Sequence, residues 1–241
     1  MQKGFREPGE KPRKFYKTVE VVSADGGFVV TLDGRNVRSP NGSKLVLPAE
    51  ALAKLIAAEW DAQTDVIEMG HMHATRLAFT AVEAVSQARE ATADQVAQYA
   101  GSDLVCYYAD GPEALLDRQT RQWGPVLERA EAELALVFAK ATGIVHCDQP
   151  AETLVKVRAL ALELDDYRLA GLAFGTALFG SAVLAIALQR GWLNGEQALE
   201  LSRLDEIFQE EQWGVDEEAA ERVTRLSVEA AMLDGWFRAL D

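Results

Sequence analysis

The apolar pattern is strongest between Tyr167 and Arg190, where Leu169 to Leu188 reads LAGLAFGTALFGSAVLAIAL without one charged side chain. A run of this size approaches the length that crosses a bilayer. Gly171, Gly175, Thr176, Gly180, Ser181 and several alanines dilute it, however. Its flanks, Asp165-Asp166 and Gln189-Arg190, also carry no basic cluster to set an orientation across a membrane. A soluble helix that is apolar all round is one enclosed by other helices. The pattern therefore predicts one continuous buried central helix, with Gly171, Gly175 and Gly180 letting neighbouring backbones come close.

The helices around it show apolar stripes at helical spacing. Leu52, Leu55, Ile56 and Trp60 mark a helix opened by Pro48, and Leu77, Ala78, Ala81, Val82 and Val85 one capped by Thr75. Val96 and Tyr99 end another before Gly101. Pro112 starts the next, which carries Leu115, Leu116, Gln119 and Trp123 and is broken or kinked at Gly124-Pro125. Its apolar face continues through Leu134, Leu136, Val137 and Phe138. Leu154, Val157, Leu160, Ala161 and Leu164 precede the central helix. Leu199, Leu201, Leu204, Ile207 and Phe208 form one stripe after it, and Val223, Leu226, Ala230, Leu233 and Phe237 the last.

Residues 13–47 follow a different period. Phe15, Val19 and Val21 alternate with Tyr16, Glu20 and Val22, and Phe28 to Leu32 is a second apolar run. Asp33-Gly34 after it favours a type I′ hairpin, which needs two residues of positive φ. Asn41-Gly42 marks another turn and Leu45–Leu47 a short strand. Further strands are expected at Asp65–Met69 and at Leu104–Tyr108. The resulting class is α+β: a flexible start (1–12), a small strand-rich α+β domain (13–88) and a mainly helical orthogonal bundle (89–241).

Charge narrows the partners. The 241-residue chain carries 38 acidic against 24 basic residues, a formal net charge of -14. Such a surface repels phosphate backbones, so nucleic acid is not an expected partner. Residues 1–44 hold nine Lys/Arg against five Asp/Glu, whereas 194–221 hold ten acids against the single Arg203. Two cysteines, Cys106 and Cys147, are too few for a disulfide framework and lack zinc spacing. The N-terminus has no apolar core of a secretory signal, and its prolines and glutamates spoil a transit peptide. A cytoplasmic protein is the expectation.

Candidate chemistry is sparse. His71-Met72-His73 would aim both imidazoles to one side if the segment were extended, and with His146 it gives an alternative reading as a metal-dependent hydrolase. Catalytic metal needs a third ligand and ordered partners behind it, so no metal or cofactor is expected. Neither an HExxH pair, a phosphate-binding glycine loop nor a G-x-S-x-G elbow is present. Cys106, between Leu104, Val105 and two tyrosines, reads as core. Cys147 has polar neighbours but no base placed to activate it.

The remaining candidate binds rather than reacts. Glu206, Glu210, Glu211, Trp213, Gly214 and Asp216, followed by Glu217 and Glu218, set an aromatic inside an acidic cluster where two helices meet. Tryptophan within a polar rim is a frequent interface anchor. Asp216, Glu217 and Glu218 are equally accounted for as a helix cap and first turn. Glu210 and Glu211 lie at a helix C-terminal end, where the dipole disfavours acids. Their placement favours a contact surface.

Several blocks also resemble, in the same order, those of the ATP synthase F1 α-subunit assembly chaperone family. They are RKFYKTVEV, VTLDGRNVRSP, LVLPAEALAKLIAAEWDAQ, TRLAFTAVE, YAGSDLVCYYADGPEALLDRQTRQWGPVLERA and EEQWG. The resemblance runs from Arg13 to about Phe237. It implies a non-enzymatic chaperone without cofactor that binds the free F1 α subunit, shields its β-facing surface and releases it as the hexamer forms. By position, Glu210, Glu211, Trp213 and Gly214 fall on the EEQWG-like block. Glu59, Trp60 and Gln63, then Arg76 and Thr80, then Asp103, Tyr107, Gln119, Trp123 and Pro125, fall on the preceding ones. The resemblance further implies a bacterial, cytoplasmic member without a presequence; a monomer is the expected oligomeric state.

Overall fold

The computed structural model describes residues 12–143, 145–214 and 216–241. Three antiparallel strands open the fold: β1 (Val19–Ala24), β2 (Gly27–Leu32) and β3 (Arg35–Asn36). Val21 faces Val30 across the first pair, and Thr31 faces Asn36 across the second. The β2–β3 turn is the expected one, with Asp33 at φ 48° and Gly34 at φ 75°. Leu45–Leu47 is reduced to a single bridge, in which Leu47 and Phe28 exchange backbone hydrogen bonds of 2.8 and 2.9 Å. Asp65–Met69 is likewise only a bridge from Val66 to Arg13. Of the expected flexible start, all but Pro12 lies outside the described residues; the Pro12 carbonyl accepts from Ile67 N at 2.7 Å.

Helix α1 (Glu50–Asp61) lies across β1 and β2 and buries Leu52, Ala53, Ile56 and Trp60. It starts after Ala49, so Pro48 stands just outside its first turn. Helix α2 (His73–Glu83) begins earlier than a Thr75 cap would place it, and Thr75 lies inside it. Its cap comes instead from α1. The Glu59 carboxylate accepts from Ala74 N, Thr75 N and the Thr75 hydroxyl, each at 2.7 Å. A carboxylate at a helix start satisfies free N–H groups and meets the positive end of the dipole.

Helices α3 (Arg89–Ala100) and α4 (Glu113–Leu134) follow, and between them Tyr107–Tyr108 (β4) pairs in parallel with Ala141–Thr142 (β5). Leu104–Cys106, expected to be extended, forms a 3₁₀ turn. Pro125 does not break α4, which runs on to Leu134. Its flanks Trp123, Val126 and Leu127 are buried, and that packing outweighs one lost backbone hydrogen bond. Beyond Ala135, in the left-handed region at φ 54°, the chain leaves the helix, so Leu136, Val137 and Phe138 belong to a loop.

The long apolar run is buried, but it is two helices rather than one. Helix α5 (Ala151–Glu163) precedes it, and the run divides into α6 (Asp166–Phe179) and α7 (Ala182–Gln189). Gly180 adopts φ 63°, the left-handed conformation that ends helices at a glycine. Ser181 then caps α7 by accepting from Leu184 N. All seven residues from Ala182 to Leu188 are buried, whereas Ala177 on α6 is exposed. No helix among the described residues is long and apolar enough to cross a membrane.

The stripe after the central run also divides, into α8 (Gly195–Ser202) and α9 (Leu204–Trp213), at Arg203. The last helix, α10 (Glu217–Leu240), packs on α8, α6 and α1. Gly171 of α6 lies under the Trp236 and Phe237 rings of α10. Trp236 donates its indole N–H to the Tyr167 carbonyl at 3.1 Å, and the Tyr167 hydroxyl donates to the Val46 carbonyl at 2.6 Å. One continuous core thus runs from Tyr16 beside the sheet to Leu240.

Candidate functional site: the α9–α10 cleft

Helix α4 positions α8 and α9 through three side chains. Gln119, fully buried, accepts from Ala109 N and donates to the Asp205 carboxylate, both at 2.8 Å. Trp123 donates its indole N–H to the Leu201 carbonyl at 2.9 Å. Arg118 forks onto both carboxylate oxygens of Glu211 at 3.0 and 2.8 Å and lies over the Phe208 ring. Gln119 and Trp123 are therefore supports, for α9 and α8 respectively, rather than contact residues.

The acidic cluster separates into distinct roles. Glu211 is neutralised by Arg118, and Glu210 by Arg203 at 2.7 Å. These two arginines explain why acids tolerate the negative end of the α9 dipole, so their position alone is not a sign of a binding surface. Asp216 caps α10, accepting from Ala219 N at 2.9 Å, while Glu217 and Glu218 lie in the first turn. Glu206 has no ion pair among the described residues and stands exposed at the mouth of a cleft. Gly214 ends α9 at φ 85°. Trp213 is 80% exposed, and no packing need accounts for it.

The cleft encloses about 330 Å³ between the end of α6, α9 and the first half of α10. Leu104, Ala177, Leu178, Val223 and Leu226 supply its apolar walls, and Arg203, Glu206, Glu210 and Arg222 its polar ones. Its far wall is unusual for a soluble helix. From Glu217 to Glu229 no described residue of α10 is buried, and burial begins only at Ala230. An amphipathic helix half held off the body leaves its apolar stripe, Val223 and Leu226, only partly covered.

At the base of the cleft, Asp103 organises the break between α6 and α7. It is fully buried and accepts from the Ser181 hydroxyl at 2.5 Å and from Val183 N at 3.0 Å. Burial raises its pKa to about 6, against the pull of these donors. The adjacent Leu104 N donates to the Gly180 carbonyl at 3.3 Å, tying a cleft wall to this node.

Other expected sites come apart. His71 lies in a 3₁₀ turn with Nδ1 2.9 Å from Glu68, whereas His73 opens α2 with Nδ1 3.7 Å from Glu229. The extended geometry that would pair the imidazoles is absent, and the hydrolase reading falls with it. Among the described residues no three His, Cys, Asp or Glu are grouped to hold a metal. His146 contacts the Tyr107 hydroxyl and Asp148, not the Cys147 thiol. Cys106 is buried, which pushes its thiol pKa up and keeps it protonated. Trp60 is core, 7% exposed, and Gln63 braces the α1 end through the Glu59 carbonyl and Glu68 N.

The fold and this surface are those of a binding protein, and comparison with known proteins places it more closely. Residues 13–131 match the family model described as ATP12 chaperone protein. The crystal structure of Atp12 from Paracoccus denitrificans is 36% identical, with a TM-score of 0.89 over 95% of this chain and 99% of that one. The Atu1473 protein of Agrobacterium tumefaciens is 38% identical, with a TM-score of 0.91 over 95% of this chain and 87% of that one. Mitochondrial protein atp12 of Schizosaccharomyces pombe is 28% identical across 87% of this chain and 76% of its own length. The chain belongs to the ATP12 chaperone family.

Proposed function

We propose that this protein binds the free α subunit of F1 ATP synthase in the cytoplasm and holds it, as a monomeric chaperone, until α pairs with β. Membership in the ATP12 chaperone family, whose role lies in F1 ATP synthase assembly, supports the assembly part of this reading. The observation that carries the contact surface is Trp213, 80% exposed at the end of α9, the helix whose Glu206 and Glu210 form one wall of a cleft walled on the other side by the unburied half of α10. A rigid aromatic beside apolar walls and an acidic rim is the composition of an interface anchor. Glu206, Glu210, Glu211, Gly214 and Asp216 border that anchor. Glu210 and Glu211 act through the arginines that hold α9 in place.

The mechanism is a mask. A bound chaperone lowers the free concentration of an aggregation-prone subunit by mass action. The larger α–β interface then displaces it. Binding is therefore moderate, and protection requires no nucleotide hydrolysis by the chaperone. Light scattering from purified α subunit diluted into nucleotide-free buffer tests this. Stoichiometric chaperone should suppress the scattering, and a trace identical to that of α alone would refute the proposal.

A further inference from the structure

A second pocket, about 360 Å³, opens between α2, α3, α6 and α10. Leu77 and Ala170 are buried in its floor, and Phe174 is half-buried there. It follows the α9–α10 cleft along the same two helices. Phe174 lines this pocket while Ala177 and Leu178, one turn on, line the cleft; Glu229 lines this pocket while Leu226, one turn back, lines the cleft.

The rim of this pocket carries a cation without a partner. In α2, Thr75, Leu77, Ala78, Phe79 and Ala81 are buried, but Arg76 and Thr80, one turn apart, are exposed. The Arg76 guanidinium has no hydrogen bond or ion pair among the described residues. Arg89, Arg118, Arg158, Arg168 and Arg203 each meet a carboxylate, whereas Arg35, Arg190, Arg222 and Arg225 share Arg76's lack of an ion pair among the described residues. What sets Arg76 apart from those four is its place in the lining of this apolar pocket. The pocket's own acid, Glu229, lies 3.7 Å from His73. Arginine offers a planar fork of donors matched to a carboxylate. The Thr80 hydroxyl, which donates to the Arg76 carbonyl at 3.1 Å, and the Gln95 amide lie in the same lining.

We propose that Arg76 receives an Asp or Glu side chain of the client protein, next to an apolar client residue seated on Leu77, Ala170 and Phe174. This rests on the reading that F1 α is the client. The client surface would then carry opposite charges at its two ends: basic toward Glu206 in the cleft, acidic toward Arg76. An ion pair at such a rim acts on both association rate and retention.

Affinity for purified α subunit, measured for wild type, Arg76→Gln and Arg76→Glu, tests the proposal. Arg76→Gln should weaken binding several-fold and Arg76→Glu at least about tenfold, and wild type should lose affinity with added salt more steeply than Arg76→Gln. Thermal unfolding should be unchanged in both variants, because the side chain has no partner to lose. A photo-crosslinking residue in place of Thr80 should capture a client peptide containing an acidic residue. Equal affinity of all three proteins, with wild type binding α, would overturn the inference alone. No binding by wild type would overturn the client assignment and this inference with it.

Discussion

Replacing Gly171 by alanine probes how α10 is seated on α6. A Cβ built at Gly171 would lie 2.9 Å from Phe237 Cζ and from Trp236 Nε1, and 3.0 Å from Phe237 Cε1. Carbon atoms in contact prefer about 3.5–4.0 Å, so the methyl overlaps two rings by roughly half an ångström or more. Neither ring has room to turn. Trp236 is fully buried and hydrogen-bonded to Tyr167, and Phe237 is 4% exposed. Relief requires α10 to move off α6. Overpacking of this kind costs about 1–3 kcal/mol, while replacing a mid-helix glycine returns about 1 kcal/mol at most. The net loss of about 0.5–2 kcal/mol corresponds, for a domain of this size, to a fall in Tm of about 1–8 °C. Gly235, within α10, is the control: nothing lies within 4 Å of the added atom. Gly235→Ala should therefore raise Tm by about 1–4 °C through helix propensity alone. Differential scanning calorimetry of the two variants decides the matter. Gly171→Ala melting with or above wild type would refute the close-packing argument, as would Gly235→Ala melting below it.

Two further outcomes follow from buried Asp103 and half-buried Glu59. The folded state holds the Asp103 proton more tightly than the unfolded chain, with pKa about 6 against an ordinary 3.8. That contribution to stability is complete below about pH 4 and is lost as pH rises through 6. Wild-type stability relative to Asp103→Asn should thus fall by up to about 3 kcal/mol between pH 4 and 7 in urea unfolding, and parallel pH curves would contradict the assignment. Glu59→Ala should cost about 2 kcal/mol by uncapping α2 and leaving the Thr75 hydroxyl without its acceptor. Glu59→Gln should lose less, since its amide oxygen still accepts; equal melting of both with wild type would remove the capping role.

What the sequence discloses is local. The Asp33-Gly34 hairpin, the Leu52–Trp60 stripe and the burial of Leu169–Leu188 are written in near neighbours, where turn chemistry and periodicity act. The break at Gly180-Ser181 was legible too, as a C-terminal glycine followed by an N-cap serine. The unbroken apolar character around it outweighed that signal. Other features depend on partners distant in the chain. Arg118 meets Glu211 and Asp103 meets Ser181 across 93 and 78 positions, and no spacing rule reaches that far. Hence Glu211 looks misplaced in the sequence, whereas the partner of Glu210, Arg203, stands only seven positions before it. Trp213 was legible as a candidate, but the cleft was not, because its walls come from α6, α9 and α10, which lie far apart in the chain. Arg76 was marked by its place in the TRLAFTAVE block, but its lack of an ion pair and its position beside an apolar pocket are not displayed by a linear sequence.

The central claim is that the exposed end of α9 and the free half of α10 grip the F1 α subunit. Mixing purified α with the wild-type protein and with Trp213→Ala, at micromolar concentrations in nucleotide-free buffer, tests it most directly by size-exclusion chromatography with light scattering. Wild type should co-elute with α as a one-to-one complex. Trp213→Ala, unchanged in Tm because its side chain is 80% exposed, should lose affinity by about tenfold or more, as truncated interface tryptophans do. No complex with wild type, or a complex of equal affinity with Trp213→Ala, would contradict the account.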